Sequence, residues 1–121
     1  MKLTQPLNHT PDTSFAIWRG AAVPLVVRNF NRLDGVYEAF AASLALRVKV
    51  RNVASFTLAV GSGITLSSWN GVANALATCL LSEAQSLLIP SGRFASYELT
   101  EGAPGSLSIV MAGSLVGEGP A

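Results

Sequence analysis

The side chains that most often carry acid–base or metal chemistry are sparse in this 121-residue chain. His9 is the only histidine, and it lies in a polar segment broken by Pro6 and Pro11, whereas a Ser-His-Asp or Cys-His site needs a base held beside its nucleophile. Cys79 is the only cysteine, which excludes an intrachain disulfide and any multi-cysteine zinc site. We therefore expect no catalytic residue, no metal and no cofactor, and we expect Cys79 to be a small buried residue of a strand.

Seven carboxylates are available for general acid–base work. They are Asp12, Asp34, Glu38, Glu83, Glu98, Glu101 and Glu118. Glycoside hydrolysis needs two of them to converge on one bond, and the sequence leaves open a pair that folding brings together. Most fall in expected turns or at outward positions, and Glu98 and Glu101, which flank a turn, are expected to be solvated. We predict that the protein is not an enzyme.

A row of cations alternates with apolar residues in "SLALRVKVR". A strand projects alternate side chains to opposite faces, so Arg47, Lys49 and Arg51 are expected on one face, about 6 to 7 Å apart. The apolar residues of the opposite face are Leu44, Leu46, Val48 and Val50. No aromatic residue interleaves with the cations, as a single-strand stacking platform requires, and the net charge is only +1. We expect no nucleic-acid or membrane partner, and we interpret the row as a solvated or inter-subunit face that sets register with a neighbour.

Trp18 and Trp69 are candidate binding residues of another kind. Exposed tryptophans stack on sugar rings, whereas tryptophans of small β domains more often lie in a core or at a subunit interface. Together with Arg47, Lys49 and Arg51, the two tryptophans form our set of candidate interface residues.

The elements that would position these residues are short strands, because apolar runs are interrupted throughout by Gly, Asn and Asp. Pro24 lacks the amide that a central strand needs, so its strand is expected at a sheet edge or a bulge. Asn70-Gly71 predicts a type I′ turn between two antiparallel strands. Ser82, with Gln85 three residues later, predicts a capped helical turn.

The last two strands, "RFASYELT" and "SLSIVMAGSLV", are expected to form a closing hairpin around residues 102–105. Its expected core residues are Tyr97, Leu99, Leu107, Ile109 and Met111. The segment "VYEAFAASL" is ambiguous, because its alanines suit a helical turn as well as a strand.

The overall composition indicates a protein that does not stand alone in water. Charged residues make up 12% of the chain and apolar residues 50%, whereas a soluble domain carries about 25% charged residues. Permanent interfaces are depleted in charge, so we expect stable assembly with other chains, although small residues also make a neutral, soluble surface. The N-terminus has no apolar core typical of a signal peptide, and no run of 18 apolar residues predicts a membrane span.

We predict one all-β domain over residues 14–119, preceded by an extended arm over residues 1–13. Its fold class is an antiparallel immunoglobulin-like β-sandwich of about seven or eight short strands with one short helical turn.

The order of several segments resembles the N-terminal β-sandwich domain of upper baseplate proteins of tailed bacteriophages and similar small tail-region proteins of phages and prophages. The segments that carry the resemblance are "WRGAAVPLVVR", "LRVKVR", "ASFTLAVGSGITL", "LLSEAQSLLIPSG" and "ASYELTEGAPGSLSIVMAGSLVGEG". Together they span about residues 18–119. The family pattern usually has an Asp after the tyrosine, where this chain has Glu98.

This resemblance implies a module that builds or connects parts of a virion without catalysis, and it assigns no active-site residue. The expected location is the virion, after synthesis in the bacterial cytoplasm. The expected partners are other phage structural proteins and further copies of the chain. Two alternatives stay open: a capsid decoration or fibre-attachment protein, and a receptor-binding module that grips host glycans through an exposed tryptophan.

Overall fold

Strands account for most of the described residues in a computed structural model, which covers residues 14–31, 33–51, 55–102 and 105–119. Within these ranges the structure has ten strands and one helix. In chain order they are β1 (Phe15–Trp18), β2 (Val23–Arg28), β3 (Phe30–Asn31), β4 (Val36–Tyr37), β5 (Ala45–Val50), β6 (Phe56–Val60), β7 (Gly63–Trp69), β8 (Val72–Leu81), α1 (Glu83–Leu87), β9 (Gly92–Glu101) and β10 (Ser108–Glu118). The predicted arm over residues 1–13, with His9 and Asp12, lies outside the described residues.

Eight of these strands form one hydrogen-bonded sheet in the order β1-β10-β9-β5-β6-β7-β8-β2, while β3 and β4 pair separately. The edge strands β1 and β2 approach one another, so the large sheet is nearly closed. The all-β prediction is confirmed. Pro24 lies in β2 at the sheet edge, as predicted, because a proline cannot donate to a ladder on both sides.

The link between β6 and β7 is irregular, because only two residues separate the two strands. Their pairing is parallel and short, Ala59 with Gly63 and Val60 with Ile64, and two residues cannot form a regular parallel crossover. Gly61 and Gly63 have φ angles of 87° and 103°, which favour glycine at this link. We call β1, β10, β9, β5 and β6 the first wall and β7, β8 and β2 the second wall.

The inner side of the first wall follows the predicted alternation. Leu44, Leu46, Val48 and Val50 are buried, while Arg47 and Lys49 point outward from β5. Leu46 lies opposite Leu99 of β9 and Leu58 of β6, and all three are at most 4% exposed. The apolar period of two therefore places this wall's core side chains as the sequence predicts.

The inner side of the second wall contributes Leu25, Ile64 and Cys79, which lie side by side across β2, β7 and β8. They belong to the same buried cluster as Leu46 and Leu99, so the two walls share one core. Cys79 is a buried strand residue, as predicted, and its burial raises the pKa of the thiol to about 11.

Two local signals in the sequence are confirmed. Asn70 and Gly71 have φ angles of 53° and 81° and connect β7 to the antiparallel β8, as a type I′ turn requires. Ser82 caps α1: its hydroxyl accepts from Gln85 N at 3.1 Å, and Gln85 Oε1 accepts from Ser82 N at 2.9 Å.

The closing hairpin of β9 and β10 is confirmed, but part of its predicted core is wrong. Tyr97 and Leu99 are buried and Met111 packs at the margin of the core, whereas Leu107 and Ile109 are 39% and 40% exposed. A bulge between Ile109 and Met111 adds one residue to β10, so Ile109, which pairs with Thr100, lies on the opposite side of the strand from Met111. The ambiguous segment "VYEAFAASL" contains the two-residue strand β4 and then irregular chain.

Candidate interaction surfaces

The described residues contain no group of three or more His, Cys, Asp or Glu side chains able to hold a metal ion. Over the same ranges, no helix is long and apolar enough to cross a membrane.

Glu101 corrects one sequence expectation, because it is buried rather than solvated. Its carboxylate Oε2 accepts a hydrogen bond of 2.7 Å from the backbone N–H of Ala41. Gly102 N also donates to Ser43 Oγ at 3.0 Å, so the loop before β5 folds over the end of β9. Glu98, three residues earlier, is half-buried on the outer side of β9.

The outer side of the first wall carries both signs of charge. We call it the charged face and define it by Arg47, Lys49, Thr57, Ser96 and Glu98. Arg47 lies between Thr57 of β6 and Glu98 of β9, and Lys49 lies beside Ser96. Arg51 is exposed in a turn after β5, so only two of the three predicted cations share the strand.

The outer side of the second wall has a different composition. We call it the uncharged face and define it by Pro24, Val26, Thr65, Ser67, Leu76, Thr78 and Leu80. Val26, Thr78 and Thr65 form one row across β2, β8 and β7, and the next row holds Arg28, Leu76 and Ser67. Val26 and Leu80 are 43% and 48% exposed, so this face presents apolar side chains to its surroundings.

Aromatic side chains continue the uncharged face beyond its Arg28 end. We call Phe30, Tyr37 and Trp69 the aromatic cluster. The Phe30 and Tyr37 rings are 5.0 Å apart and the Tyr37 and Trp69 rings 6.4 Å apart, both with tilted or edge-on geometry. The Arg28 guanidinium carbon lies 4.3 Å from the centroid of the Trp69 ring, a cation–π contact.

The hairpin that carries Phe30 and Tyr37 is held in shape by Asn31. The Asn31 amide nitrogen donates to Asp34 Oδ2 at 3.2 Å and to Glu38 Oε2 at 3.0 Å. Its Oδ1 accepts from the backbone N–H groups of Leu33 and Asp34. The two carboxylates near the aromatic cluster therefore have hydrogen-bond partners on their own hairpin.

Trp18 lies apart from Trp69, at the end of β1. It is 57% exposed, and one face of its ring packs on Gly119, where an added Cβ would lie 2.9 Å from Trp18 Cε2. The chain beyond it is anchored to α1, because Gly20 N donates to Ser86 Oγ at 3.0 Å. The two tryptophans have different neighbours and do not form one platform.

The uncharged face is the surface that the sequence interpretation missed. In β8, outward Leu76 and Leu80 alternate with inward Ala77 and Cys79, so both sides of the strand are apolar. The sequence pattern therefore does not distinguish the inner side from the outer side. Only the pairing of β8 with β2 and β7 identifies which side is covered.

No protein-family model matches the sequence, and no curated protein is significantly similar to it.

Proposed function

We propose that the protein is a non-enzymatic structural component of a tailed-bacteriophage virion, which assembles or connects parts of the tail or baseplate. The observation that carries this proposal is the uncharged face, a partly exposed sheet surface whose seven defining residues include no ionisable side chain; Arg28, in the row of Leu76, stacks on Trp69. Such a surface is typical of an interface, since interface cores are depleted in charge. The low content of charged residues, 12%, supports the same conclusion.

The strand order supports the immunoglobulin-like part of the proposal. In a variable-type immunoglobulin domain, strands G, F, C and C′ form one sheet and strands B, E and D belong to the other. With β2 as B, β5 as C, β6 as C′ and β7 to β10 as D to G, the first wall has the order G-F-C-C′ and the second wall D-E-B. The short helix between β8 and β9 then lies between strands E and F.

The resemblance to the N-terminal domain of upper baseplate proteins adds the biological setting, since it spans about residues 18–119. A virion component occurs in many copies, so most of its faces are occupied by neighbours. The energy of such assembly comes from apolar surface removed from water, about 25 cal/mol per Å² before ordering costs are subtracted.

The test is peptide mass spectrometry and immunogold microscopy of particles purified from the phage or prophage that encodes the chain. We expect the chain in purified particles, with gold at the tail or baseplate. Gold on the head would instead support a capsid decoration or fibre-attachment protein. Purified particles that lack the chain would overturn the proposal.

A glycan-binding module is the second candidate, and the exposed ring of Trp18 favours it. At Trp69 the Arg28 guanidinium already occupies one face of the ring, which leaves less surface for a sugar. Calorimetric titration with host polysaccharide separates the two functions. The structural proposal predicts no saturable binding; binding that Trp69→Ala or Trp18→Ala abolishes, and Leu80→Ala does not, would establish the receptor function.

A further inference from the structure

We propose that the uncharged face is a two-fold interface with a second copy of this chain. This inference deepens the proposed function and rests on it only in taking the protein to be an assembly component. The occupant follows from the charges of the face, while the centre and the size of the face set the geometry and the strength of the contact.

The charges allow the face to pack against itself. None of its seven defining residues is ionisable, and the cation at its end, Arg28, stacks on Trp69. The charged face, by contrast, carries Arg47, Lys49 and Glu98, so covering it with a copy of itself would desolvate three ionised side chains on each copy. Of the two outer faces, only the uncharged face can therefore be covered by a copy of itself without desolvating several charges.

The position of the proposed axis follows from the position of Thr78. It lies midway between Leu76 and Leu80 along β8 and between Val26 and Thr65 across the strands. A two-fold interface uses the same patch on both copies, so its axis passes through the centre of the patch. Each Thr78 then faces the partner's Thr78.

We place this axis in the plane of the interface and across the strands, because an axis along β8 would bring the two Arg28 ends of the face together. Arg28 lies in the row beside Leu76, about 7 Å to one side of Thr78. In the dimer it therefore lies over the opposite end of the partner's β8, which leads through Ser82 to the exposed carboxylate of the partner's Glu83. The end of the face that carries Arg28 therefore packs against the end of the partner's face that carries Leu80 and Glu83.

The size of the surface indicates a weak association. The face takes in residues 76–80 of β8 and the two flanking strands, which gives a flat footprint of roughly 17 Å by 14 Å, or about 240 Å². This is well below the roughly 800 Å² per partner of a standard stable interface. Dimers are therefore expected only at high protein concentration.

A cysteine cross-link tests the position of the axis. The variant Thr78→Cys of the full chain is oxidised under mild conditions, with Thr57→Cys on the charged face as its matched control. We expect a disulfide-linked dimer from Thr78→Cys only. The native Cys79 does not compete, because its thiol is buried and its pKa is raised to about 11.

Sedimentation equilibrium of the unmodified chain, Val26→Arg and Thr57→Arg tests the same interface without a cross-link. Val26 and Thr57 are both exposed strand residues, so either arginine is compatible with folding, which circular dichroism checks. We expect Val26→Arg to raise the dissociation constant at least tenfold and Thr57→Arg to leave it unchanged.

Three results would overturn the inference. One is an unmodified chain that stays monomeric at 1 mM, another is a dimer that Val26→Arg leaves intact, and the third is a Thr78→Cys variant that gives no more disulfide-linked dimer than Thr57→Cys. Each of them leaves the proposed function standing if the chain is found in virions. Conversely, a dimer with the expected cross-link from a chain that purified virions lack would retain this interface and overturn the virion proposal.

Discussion

The two outer faces of the sheet are built on the same core but present different chemistry. On the charged face, Arg47 and Lys49 alternate with buried Leu46 and Val48, so the strand separates apolar from ionised side chains. On the uncharged face, Leu76 and Leu80 alternate with buried Ala77 and Cys79, so apolar groups lie on both sides. The difference indicates that the first wall is suited to water on one side, whereas the second wall is suited to contact on both.

The largest expected effect is a loss of stability, which tests whether the two walls share one core behind their different outer faces. Leu46→Ala behind the charged face and Leu25→Ala behind the uncharged face should each lower the free energy of unfolding by about 2 to 5 kcal/mol, because both leucines are buried. Urea denaturation measures the loss. Lys49→Ala is the exposed control and should cost less than about 0.5 kcal/mol. If Leu25→Ala behaved like that control, the second wall would not share the core.

The next effect comes from Cys79, directly behind the uncharged face. Its folded pKa of about 11 lies above the ordinary value of 9.0, so the folded state holds the thiol proton more tightly than the unfolded state. The free energy of unfolding therefore depends on pH through this thiol. The stability is fully present below pH 9 and falls as the pH rises to about 11, by roughly 2 to 3 kcal/mol in total.

Urea denaturation between pH 8 and pH 11, compared with Cys79→Ala, isolates this contribution. We expect the unmodified chain to lose more stability over that range than the variant does. Equal slopes for the two proteins would contradict burial of an unpaired thiol behind the uncharged face.

A charge exchange sharpens the comparison at the rim of the uncharged face. Arg28→Glu and Glu83→Lys should each raise the dissociation constant of the dimer about tenfold, because each places like charges at the two ends of the interface. The double variant should recover most of the lost affinity, as sedimentation equilibrium would show. Thr57→Glu serves as the control, and a double variant no tighter than either single one would contradict the pairing.

The smallest effect is expected on the charged face. Arg47→Ala removes one of two exposed cations of β5, and exposed charges contribute little in water. The free energy of unfolding should change by less than about 0.5 kcal/mol, and the dissociation constant of the dimer should not change. A weaker dimer would place the charged face in the interface instead.

Sequence alone predicts the parts of this fold that depend on neighbouring residues. The alternation of β5, the Asn70-Gly71 turn and the Ser82 cap each arise from contacts within a few positions, and all three are confirmed. The exposed positions of Leu107 and Ile109 are not predictable in this way, because an extra residue in β10 shifts the alternation.

The candidate surfaces are harder to predict, because they depend on distant pairings. Arg47 and Lys49 share a face as expected from their spacing, and Trp69 is partly exposed. That Trp69 carries Arg28 on its ring follows only from the order β7-β8-β2, which joins segments about forty residues apart. The uncharged face depends on the same pairing, so no local pattern identifies it.

The parallel pairing of β1 with β10 also affects how the molecule forms. Phe15 lies beside Leu115 and Trp18 beside Glu118, so the first described strand pairs with the last one. During synthesis β1 cannot pair until the ribosome has released β10. In refolding, a loop of nearly the whole chain must close before the hydrogen bonds of this ladder can offset the entropy lost in closing it. Folding should therefore be slow for a domain of this size, in the millisecond-to-second range typical of all-β topologies with distant contacts.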